Sequence, residues 1–433
     1  MKNVNYVHFD NKMSKKEANN YLRNISNHQY LPFINYEIDK KKWDSNHNKT
    51  GETRTISVAS VKDNYVYQYF NNIISNKYEK FIKSFNINDC VCAYRKGQHK
   101  SNVNYSAEVF KFIADSNDAK IFIGDVTKFF DNLDHKILKN CLKEVLNVKE
   151  LDDNTYNMLK SLEKSSYIEI DDILKFLNSK GVYIHTKIHD NDNKFSALCL
   201  YCEIRDIQNI VRKEWFKELK DSYLKPGKDV LKNKTKGIVQ GSSISGTLSN
   251  VYMINIDKEI VNLLSEYEYI YRRYCDDFIV VIRDISNEKY NKIIEDIKEI
   301  ISNAKLELKD SKIQKFDYKN GKVSNLNGKK EFIQFLGFEL HNDNIVKVRQ
   351  STMDRQKNKV LKNRKRYKLI ENDNVKKAEK IKMYKKLENV TGNDYAKYTI
   401  GSYISKAVRI FDDSDNLKKT KMELVHFIDK HLK

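Results

Sequence analysis

The chain has 433 residues, which is enough for several subdomains around a sizeable apolar core. It carries 79 Lys and Arg residues against 59 Asp and Glu residues, and the resulting net charge of +20 favours a polyanionic partner. No apolar run is long enough to cross a bilayer, and Met1–Tyr30 lacks the apolar core of a signal peptide, so we expect a cytoplasmic protein without membrane spans.

The predicted elements alternate between helices and short strands, after a helix and a loop within residues 1–45. In chain order we predict a strand over Arg54–Val61, helices over Tyr65–Phe85 and Asn104–Ala114, a strand over Lys120–Val126, a helix over Asp134–Leu146, a mostly helical stretch over 147–235, a helix over Ser245–Leu264, a hairpin over 269–282, a helix over Glu288–Ala304 and a strand pair over Phe332–Val348. This order is typical of the split βαβ pattern, an antiparallel sheet with helices on one face.

Two adjacent carboxylates, Asp276 and Asp277, lie in a predicted tight turn between the strand-like residues 269–273 and 278–282. Adjacent carboxylates repel each other, and a divalent metal ion with oxygen ligands would relieve that repulsion. The split βαβ topology would bring Asp125, at the end of the first strand, to the same place. The alternative interpretation is a solvated turn, with Asp125 capping the next helix.

Positive charge is concentrated near the end of the chain. Fourteen basic and five acidic residues lie between Thr352 and Glu388, a net charge of +9. A solvated Lys-rich helix face is a common reason for such a segment. Next to a carboxylate site, however, the segment favours a surface that binds a nucleic-acid duplex, with Arg364, Lys365 and Arg366 as candidate contacts.

The six cysteines do not indicate a disulfide framework in a cytosolic chain. Cys199 and Cys202 follow His185 and His189, so a zinc site is one interpretation. Phe195–Ile204 is also apolar enough to be a buried helix, in which cysteine is an ordinary packing residue. The sequence leaves both interpretations open.

Several motifs resemble those of the bacterial reverse transcriptases and follow one another in the order of that family. The resemblance covers roughly residues 50–345. The chain departs from the family pattern at Val239 and Gly246, where the family has proline. The motifs are Arg54-Thr-Ile-Ser-Val with Asp63 and Gln68, Tyr94-Arg95-Lys-Gly97, Phe122–His135, Gly237–Asn250, Tyr274–Asp277, Leu306–Lys312 and Phe335–Phe338.

The resemblance implies an α+β fold of the right-hand polymerase type. Residues 1–115 would form the fingers, and residues 116–345 would form a split βαβ (ferredoxin-like) palm. A helical insertion over 147–235 would extend from the palm to the fingers. Residues 346–433 would form a helical basic thumb.

The activity implied by the resemblance is that of an RNA-directed DNA polymerase, which adds dNTPs to a primer with two Mg²⁺ ions, or Mn²⁺ in their place. Asp125 and Asp276 would bridge both ions. Asp277 would be a weaker ligand, and the backbone carbonyl of Val126 would be a further one. Lys312 would donate a proton to the departing pyrophosphate, unless it is only a surface lysine.

Further residues are implied to bind the nucleotide. Arg54 would bind the triphosphate, because a guanidinium group matches phosphate geometry. Phe130 would lie under the incoming sugar and exclude a 2′-hydroxyl group. Gln240 would bond the ribose, and Gly241 would let the backbone approach the nucleotide closely.

A last group of residues is implied to contact nucleic acid. Arg95 would hold a template phosphate. Tyr274 would contact the bound strands, and Leu336 with Gly337 would form the turn that supports the primer end.

These motifs leave the biological role open. The long insertion and the basic tail resemble the antiphage, defence-associated reverse transcriptases, which implies a non-coding RNA template and a DNA primer or product. The alternatives are a retron-type enzyme that makes RNA-linked single-stranded DNA, a template-independent or protein-primed polymerase, and a non-enzymatic RNA-binding scaffold. Participation of a second protein or a second copy of the chain is also open.

Overall fold

The structure is a computed structural model that describes residues 9–10, 13–26, 28–39, 42–43, 49–50, 53–180, 213–325, 331–368, 400–411 and 414–431. The helices are α1 Lys15–Leu22, α2 Val61–Ser84, α3 Asn102–Ala114, α4 Phe129–Asn132, α5 His135–Leu146, α6 Asp153–Glu163, α7 Ile170–Ser179, α8 Lys213–Tyr223, α9 Lys228–Asn233, α10 Ser245–Tyr252, α11 Ile254–Leu264, α12 Asn287–Asn303, α13 Gln350–Lys368, α14 Ile400–Ile410 and α15 Ser414–His431. The strands are β1 Phe33–Asp39, β2 Lys42–Trp43, β3 Lys49–Thr50, β4 Thr53–Val58, β5 Asp118–Asp125, β6 Tyr167–Glu169, β7 Tyr269–Tyr274, β8 Asp277–Arg283, β9 Gln314–Lys319, β10 Lys322–Asn325, β11 Ile333–Phe335, β12 Phe338–Leu340 and β13 Val346–Val348. None of the described helices is both long and apolar enough to cross a membrane.

A five-stranded antiparallel sheet in the order β10-β9-β5-β8-β7 forms the centre of the fold. Its apolar strands β5 and β8 are buried, and their pairing ends with Asp125 opposite Asp277. The order β9-β5-β8-β7, with helical connections between β5 and β7 and between β8 and β9, is that of a ferredoxin-like sheet. The predicted α+β class and the split βαβ pattern are therefore confirmed.

The strand that completes this sheet is β9, and the prediction that used the pair over Phe332–Val348 was wrong. Phe316 and Tyr318 are the only buried residues of β9. Asn320 and Gly321, both with positive φ, turn the chain into β10. With only two apolar residues, β9 has a weak strand pattern. The residues over Phe332–Val348 instead form a separate sheet, β11-β12-β13.

The central sheet is covered on both faces, so the expectation of helices on one face only was also wrong. Phe122 and Val280 lie in a core formed with α2, α5, α10, α11 and α12. Their neighbours in sequence, Ile121 and Val281, lie in a second core formed with α3, the β11-β12-β13 sheet, α14 and α15. This division follows because successive side chains of a strand point to opposite faces.

A smaller sheet in the order β4-β1-β6 lies near the start of the chain. β1 pairs antiparallel with β4 and parallel with β6, which comes from the stretch over 147–235. β1 falls where helix and loop were expected. Its pattern was hidden because Asn35 is buried among apolar neighbours and accepts a hydrogen bond of 2.8 Å from the Ser57 hydroxyl.

Two helix boundaries differ from the expectation near the centre. The helix predicted over Ser245–Leu264 is two helices, α10 and α11, that meet at Met253. Asp134 is not the first residue of α5 but its N-cap, because its carboxylate accepts bonds of 3.0 Å from the amides of Lys136 and Ile137. Cys199 and Cys202, for which a zinc site and a buried helix were both left open, lie outside the described residues.

Candidate active site

The structure brings the three predicted carboxylates together at one end of the central sheet. Asp125 is the last residue of β5, and it pairs directly with Asp277, the first residue of β8. Asp276 lies in the turn between β7 and β8, and its carbonyl accepts a bond of 3.1 Å from the Val126 amide. Asp125 and Asp276, which are 151 positions apart in the sequence, therefore share one site, as the predicted sheet topology required.

The carboxyl groups disfavour one another's charged forms. Burial, with a smaller contribution from Asp125, raises the pKa of Asp276. Burial, a hydrogen bond with the Asp125 side chain and the negative charges of Asp276 and Asp125 raise the pKa of Asp277 to about 7. The ammonium group of Lys312 contacts the Asp125 carboxylate and lowers both pKa values in part. The site thus holds more negative charge than its own cations balance.

This donor set fits a divalent metal ion. Within the described residues, no three His, Cys, Asp or Glu side chains already surround a common ion position. Carboxylate oxygens are nevertheless the ligands that Mg²⁺ prefers, and a cation would offset the crowded charges that raise two of the pKa values. The ligand roles of Asp125, Val126, Asp276 and Asp277 stay predictions.

A short strand-like contact positions the segment that carries Lys312 beside the carboxylates. Val126 forms an isolated antiparallel bridge with Leu308, and the Thr127 amide donates a bond of 2.8 Å to the Glu307 carbonyl. This contact places the motif Leu306–Lys312 alongside the end of β5. The Lys312 side chain is 47% exposed, so its ammonium group can still reach a substrate.

A buried arginine that the sequence reasoning missed supports the catalytic turn from behind. Arg273 is completely buried and bonds both carboxylate oxygens of Asp257, at 2.9 and 2.6 Å. Its guanidinium group also donates bonds of 3.2 Å to the Asn250 side chain and to the Cys275 carbonyl. Cys275 has a positive φ of 64°, and the bond to its carbonyl holds this turn in place.

The sequence did contain a signal for this support. Asp257 is a carboxylate on the buried face of α11, at the helical spacing of Ile254 and Ile260, and Arg273 is a charge on a buried strand. Charged residues are almost never fully buried unless they are paired. Each of the two positions therefore signals a buried ion pair, although the sequence does not identify the partner.

The predicted nucleotide-binding residues Phe130, Gln240 and Arg54 lie on three segments that are joined by backbone hydrogen bonds. Phe130 is half-buried in α4, and its carbonyl accepts a bond of 2.9 Å from the Ile238 amide. The Gln240 carbonyl accepts a bond of 2.8 Å from the Ser57 amide in β4. The loop that precedes α10 therefore joins α4 to β4, the strand that carries Arg54.

Gly241 and Arg54 have positions consistent with the predicted pocket. Gly241 has a φ of +118°, and a Cβ atom there would lie 2.7 Å from Ile56 and 2.8 Å from the Ser57 carbonyl. Arg54 is exposed, and its positive charge lowers the pKa of Asp276 in part. A cation that acts on the carboxylates from β4 suits a bound triphosphate.

A second support missed in the sequence lies beneath the same loop. The His135 ring nitrogen Nε2 donates a bond of 2.8 Å to the Gly237 carbonyl. Its other ring nitrogen lies 3.8 Å from the buried carboxylate of Glu163. Burial lowers the pKa of His135. A neutral ring with its proton on Nε2 therefore holds the start of the loop.

Arg95, which is predicted to hold a template phosphate, forms an ion pair within the protein. Its side chain is 2% exposed and bonds both carboxylate oxygens of Glu79, at 3.1 and 2.7 Å. A further bond of 3.2 Å goes to the Val91 carbonyl. The guanidinium group thus ties the loop to α2 through Glu79, and its contact with a template phosphate stays a prediction.

The remaining candidates are spread over the molecule. Tyr274 is 37% exposed beside the carboxylates. Leu336 and Gly337 form the turn between β11 and β12, where the Leu336 carbonyl accepts a bond of 3.0 Å from the Asn102 side chain. Arg364, Lys365 and Arg366 belong to α13. Their contacts with nucleic acid stay predictions.

Residues 156–340 match the family model described as reverse transcriptase (RNA-dependent DNA polymerase). This is less than half of the chain, and it contains Asp276 and Asp277. Asp125 precedes the matched residues and joins the same site through the pairing of β5 with β8. A search of the curated proteins finds no match.

Similar solved structures are fungal telomerases. Apo telomerase from Candida tropicalis truncated from its C-terminal domain has 12% identity and a TM-score of 0.45, over 76% of this chain and 59% of that chain. Telomerase from Candida albicans in complex with a fragment of telomeric RNA has 14% identity and a TM-score of 0.42, over 92% of this chain and 55% of that chain. Apo telomerase from Candida tropicalis has 15% identity and a TM-score of 0.45, over 94% and 59%.

The chain spans less than two thirds of the length of these structures, and the low scores carry no argument about function. The family match is independent of them. Residues 156–340 are therefore similar to a reverse transcriptase domain.

Proposed function

We propose that the protein extends a DNA primer on an RNA template, and that Asp125, Asp276 and Asp277 form its catalytic centre. The observation that carries the proposal is the register of β5 and β8, which pairs Asp125 with Asp277 beside Asp276. A protein that only binds RNA would gain nothing from carboxylates that raise one another's pKa values. A polymerase needs such a cluster to hold its metal ions.

The residues of the site would act as follows. Mg²⁺ ions held by the three aspartates and the Val126 carbonyl would stabilise charge on the attacking and leaving oxygens. Arg54 would bind the triphosphate, while Gln240 and Phe130 would orient the sugar. As the primer 3′-oxygen bonds to the α-phosphorus and the bond to pyrophosphate breaks, Lys312 would give a proton to the leaving oxygen.

The test is extension of a DNA primer on a homopolymer RNA template with the complementary dNTP and Mg²⁺. Product that depends on the template supports the proposal, and a chelator should abolish it. Product that ignores the template supports a template-independent or protein-primed enzyme. Absence of product with Mg²⁺ and with Mn²⁺ would support the RNA-binding scaffold instead.

We further propose that the protein acts in bacterial antiphage defence with a non-coding RNA as template. The length of the insertion over 147–235 and the basic segment after Thr352 support this proposal. We also propose the division into fingers, palm and thumb at residues 115 and 345. Sequencing the nucleic acid that co-purifies with the protein tests the role: a single structured RNA is expected, whereas RNA-linked single-stranded DNA would indicate the retron-type alternative.

A further inference from the structure

An exposed tyrosine lies beside the catalytic turn and has no role so far. Tyr94 is 53% exposed and adopts a φ of 55°. Burial of its inner part, together with Cys275, Tyr274 and Asp276 nearby, raises the pKa of its hydroxyl group. These are the three residues that lead into Asp277. The Cys92 amide donates a bond of 2.8 Å to the Arg273 carbonyl, so the segment that carries Tyr94 runs beside the end of β7 while about half of Tyr94 faces solvent.

Gly246 makes room for this ring. A Cβ atom at Gly246 would lie 2.6 Å from the Tyr94 ring carbon Cγ and 2.7 Å from Cδ1. Distances below 3.0 Å do not occur for real Cβ contacts, so any other residue here would force the ring to move. Gly246 has an ordinary backbone conformation that any residue could adopt. A glycine is needed there because it lacks a Cβ atom that would collide with the Tyr94 ring. Gly246 is also one of the two positions at which the reverse transcriptase pattern has a proline and this chain does not.

The backbone on both sides of Tyr94 is anchored. Before it, the Ala93 carbonyl accepts a buried bond of 2.8 Å from the Asn250 side chain, and Asn250 also bonds Arg273. After it, Arg95 is fixed by its two bonds to Glu79. A large apolar ring is therefore held at the surface by elements that also hold the catalytic turn. Such rigidity reduces the conformational entropy that the protein would lose when a ligand binds.

The neighbouring Tyr274 is exposed as well, by 37%. Two half-exposed aromatic rings beside an acidic centre suit a ligand that has flat apolar faces and a charged backbone. Nucleobases have such faces, and aromatic side chains bind them by stacking. We propose that Tyr94, seated on Gly246 and adjoined by Tyr274, is a stacking platform for a base of the primer–template at the catalytic turn.

This inference rests on the proposed function, since it assumes that primer–template binds at the carboxylates. The competing occupant is the base of the incoming nucleotide. The candidate nucleotide-binding residues Arg54, Gln240 and Gly241 contact or lie on β4. Tyr94 instead packs on Gly246 of α10, and its segment bonds the end of β7 through Cys92 and Arg273. This difference in location favours the strand over the nucleotide.

The experiment measures the Kd of a fluorescent primer–template by anisotropy without dNTPs and without catalytic metal. The variants are Tyr94→Ala, Tyr94→Phe, Gly246→Ala and the double variant Tyr94→Ala with Gly246→Ala. Tyr156→Ala, a change at a similarly exposed tyrosine on α6, is the matched control. Primer extension by the wild type and the melting temperature of each variant are recorded in parallel.

We expect Tyr94→Ala to weaken binding about 5–150-fold, the range for loss of one stacked base, while Tyr94→Phe and Tyr156→Ala leave it unchanged. Gly246→Ala should weaken binding similarly because it displaces the ring. The double variant should bind like Tyr94→Ala alone, since the added methyl group then has nothing to displace.

Three results would overturn the proposal. Unchanged binding by Tyr94→Ala would leave the ring a packing role only. Equal losses for Phe and Ala at position 94 would assign the effect to the hydroxyl group. An increase in the KM for dNTPs at unchanged primer–template Kd would place the ring at the nucleotide. Wild type that binds primer–template but does not extend it would contradict the proposed function without affecting these comparisons.

Discussion

The chemistry of the site depends on three carboxyl groups that the protein crowds together at an energetic cost. Burial and mutual repulsion raise the pKa values of Asp276 and Asp277, and the latter reaches about 7. Lys312 and Arg54 offset only part of this charge. A site that stores like charges in this way is suited to bind a cation strongly.

Asp276→Asn should lower primer extension by about a thousandfold or more, because metal ions contribute several kcal/mol to the stabilisation of such a transition state. The melting temperature without metal should stay the same or rise, since one crowded charge is lost. Steady-state extension and thermal unfolding measure the two effects. Asp284→Asn, at the far end of β8, is the matched control; retained activity in Asp276→Asn would refute the metal assignment.

Phe130→Ala should raise the use of rNTPs relative to dNTPs, because the space under the sugar would then accept a 2′-hydroxyl group. Phe130→Tyr keeps the bulk of the ring and should keep the discrimination. The measurement is the ratio of kcat/KM for a dNTP and the matching rNTP. An unchanged ratio in the alanine variant would show that Phe130 is only a packing residue beside Phe129.

Asp257→Ala should lower the free energy of unfolding by about 3–5 kcal/mol, because it leaves the buried charge of Arg273 without its partner. The surface pair of Glu295 and Lys298 is the control, and Glu295→Ala should cost no more than about 0.5 kcal/mol. Urea unfolding followed by circular dichroism gives both values. Equal effects would mean that water reaches the Arg273 guanidinium group.

At the scale of elements, the site is assembled from pieces that are distant in the sequence. β5 and β8 supply the carboxylates, and the bridge at Val126 brings Lys312 to them. The loop before α10 joins α4 to β4 through two backbone hydrogen bonds. Each contact involves main-chain atoms, which fix the distance between elements more firmly than flexible side chains do.

Gly241→Ala should disturb the junction of this loop with β4. The added Cβ atom would meet the Ser57 carbonyl at 2.8 Å in a left-handed conformation, at a cost of about 1–3 kcal/mol in unfolding free energy. The KM for dNTPs should rise more than the primer–template Kd. Gly227→Ala is the matched control, because a Cβ atom there meets nothing within 4 Å. Equal effects of the two changes on KM would contradict this role of the loop.

At the scale of the whole molecule, the net charge of +20 surrounds a site that is itself acidic. Under the proposed function, the excess positive charge would attract the nucleic acid. Metal ions would then lie between its phosphates and the acidic side chains of the site. The density of basic residues in α13 makes this helix the main candidate for contact with the phosphate backbone.

Affinity for primer–template should fall steeply with salt, by about 10³–10⁵-fold between 50 and 200 mM if 6–10 phosphates are contacted. Changing Arg364, Lys365 and Arg366 together to Gln should reduce the slope of log K against log salt by up to about 3. The control changes three lysines of α12, Lys289, Lys292 and Lys298, to Gln. Anisotropy titrations over a salt series measure both slopes, and equal slopes would remove α13 as the duplex-binding surface.

The sequence by itself determined the elements whose chemistry is local. The apolar runs of β5, β7 and β8 predicted buried strands, and the adjacent aspartates predicted an acidic turn, because period and residue type suffice for both. The order of these elements was enough to predict that Asp125 and Asp277 meet. The prediction from sequence failed at β9, which has few apolar residues. It also failed at β1, where the buried Asn35 interrupts the apolar pattern.

Only the tertiary structure decided what lies behind and beside the site. The bonds of Arg273 with Asp257, the bond of His135 with the Gly237 carbonyl, and the seat of Tyr94 on Gly246 join residues whose sequence neighbours give no sign of the partner. The ion pair of Arg95 with Glu79 is likewise seen only in the tertiary structure. The physical reason is that the partners of a buried or half-buried polar group are chosen by the packing of whole elements, which short-range patterns do not contain.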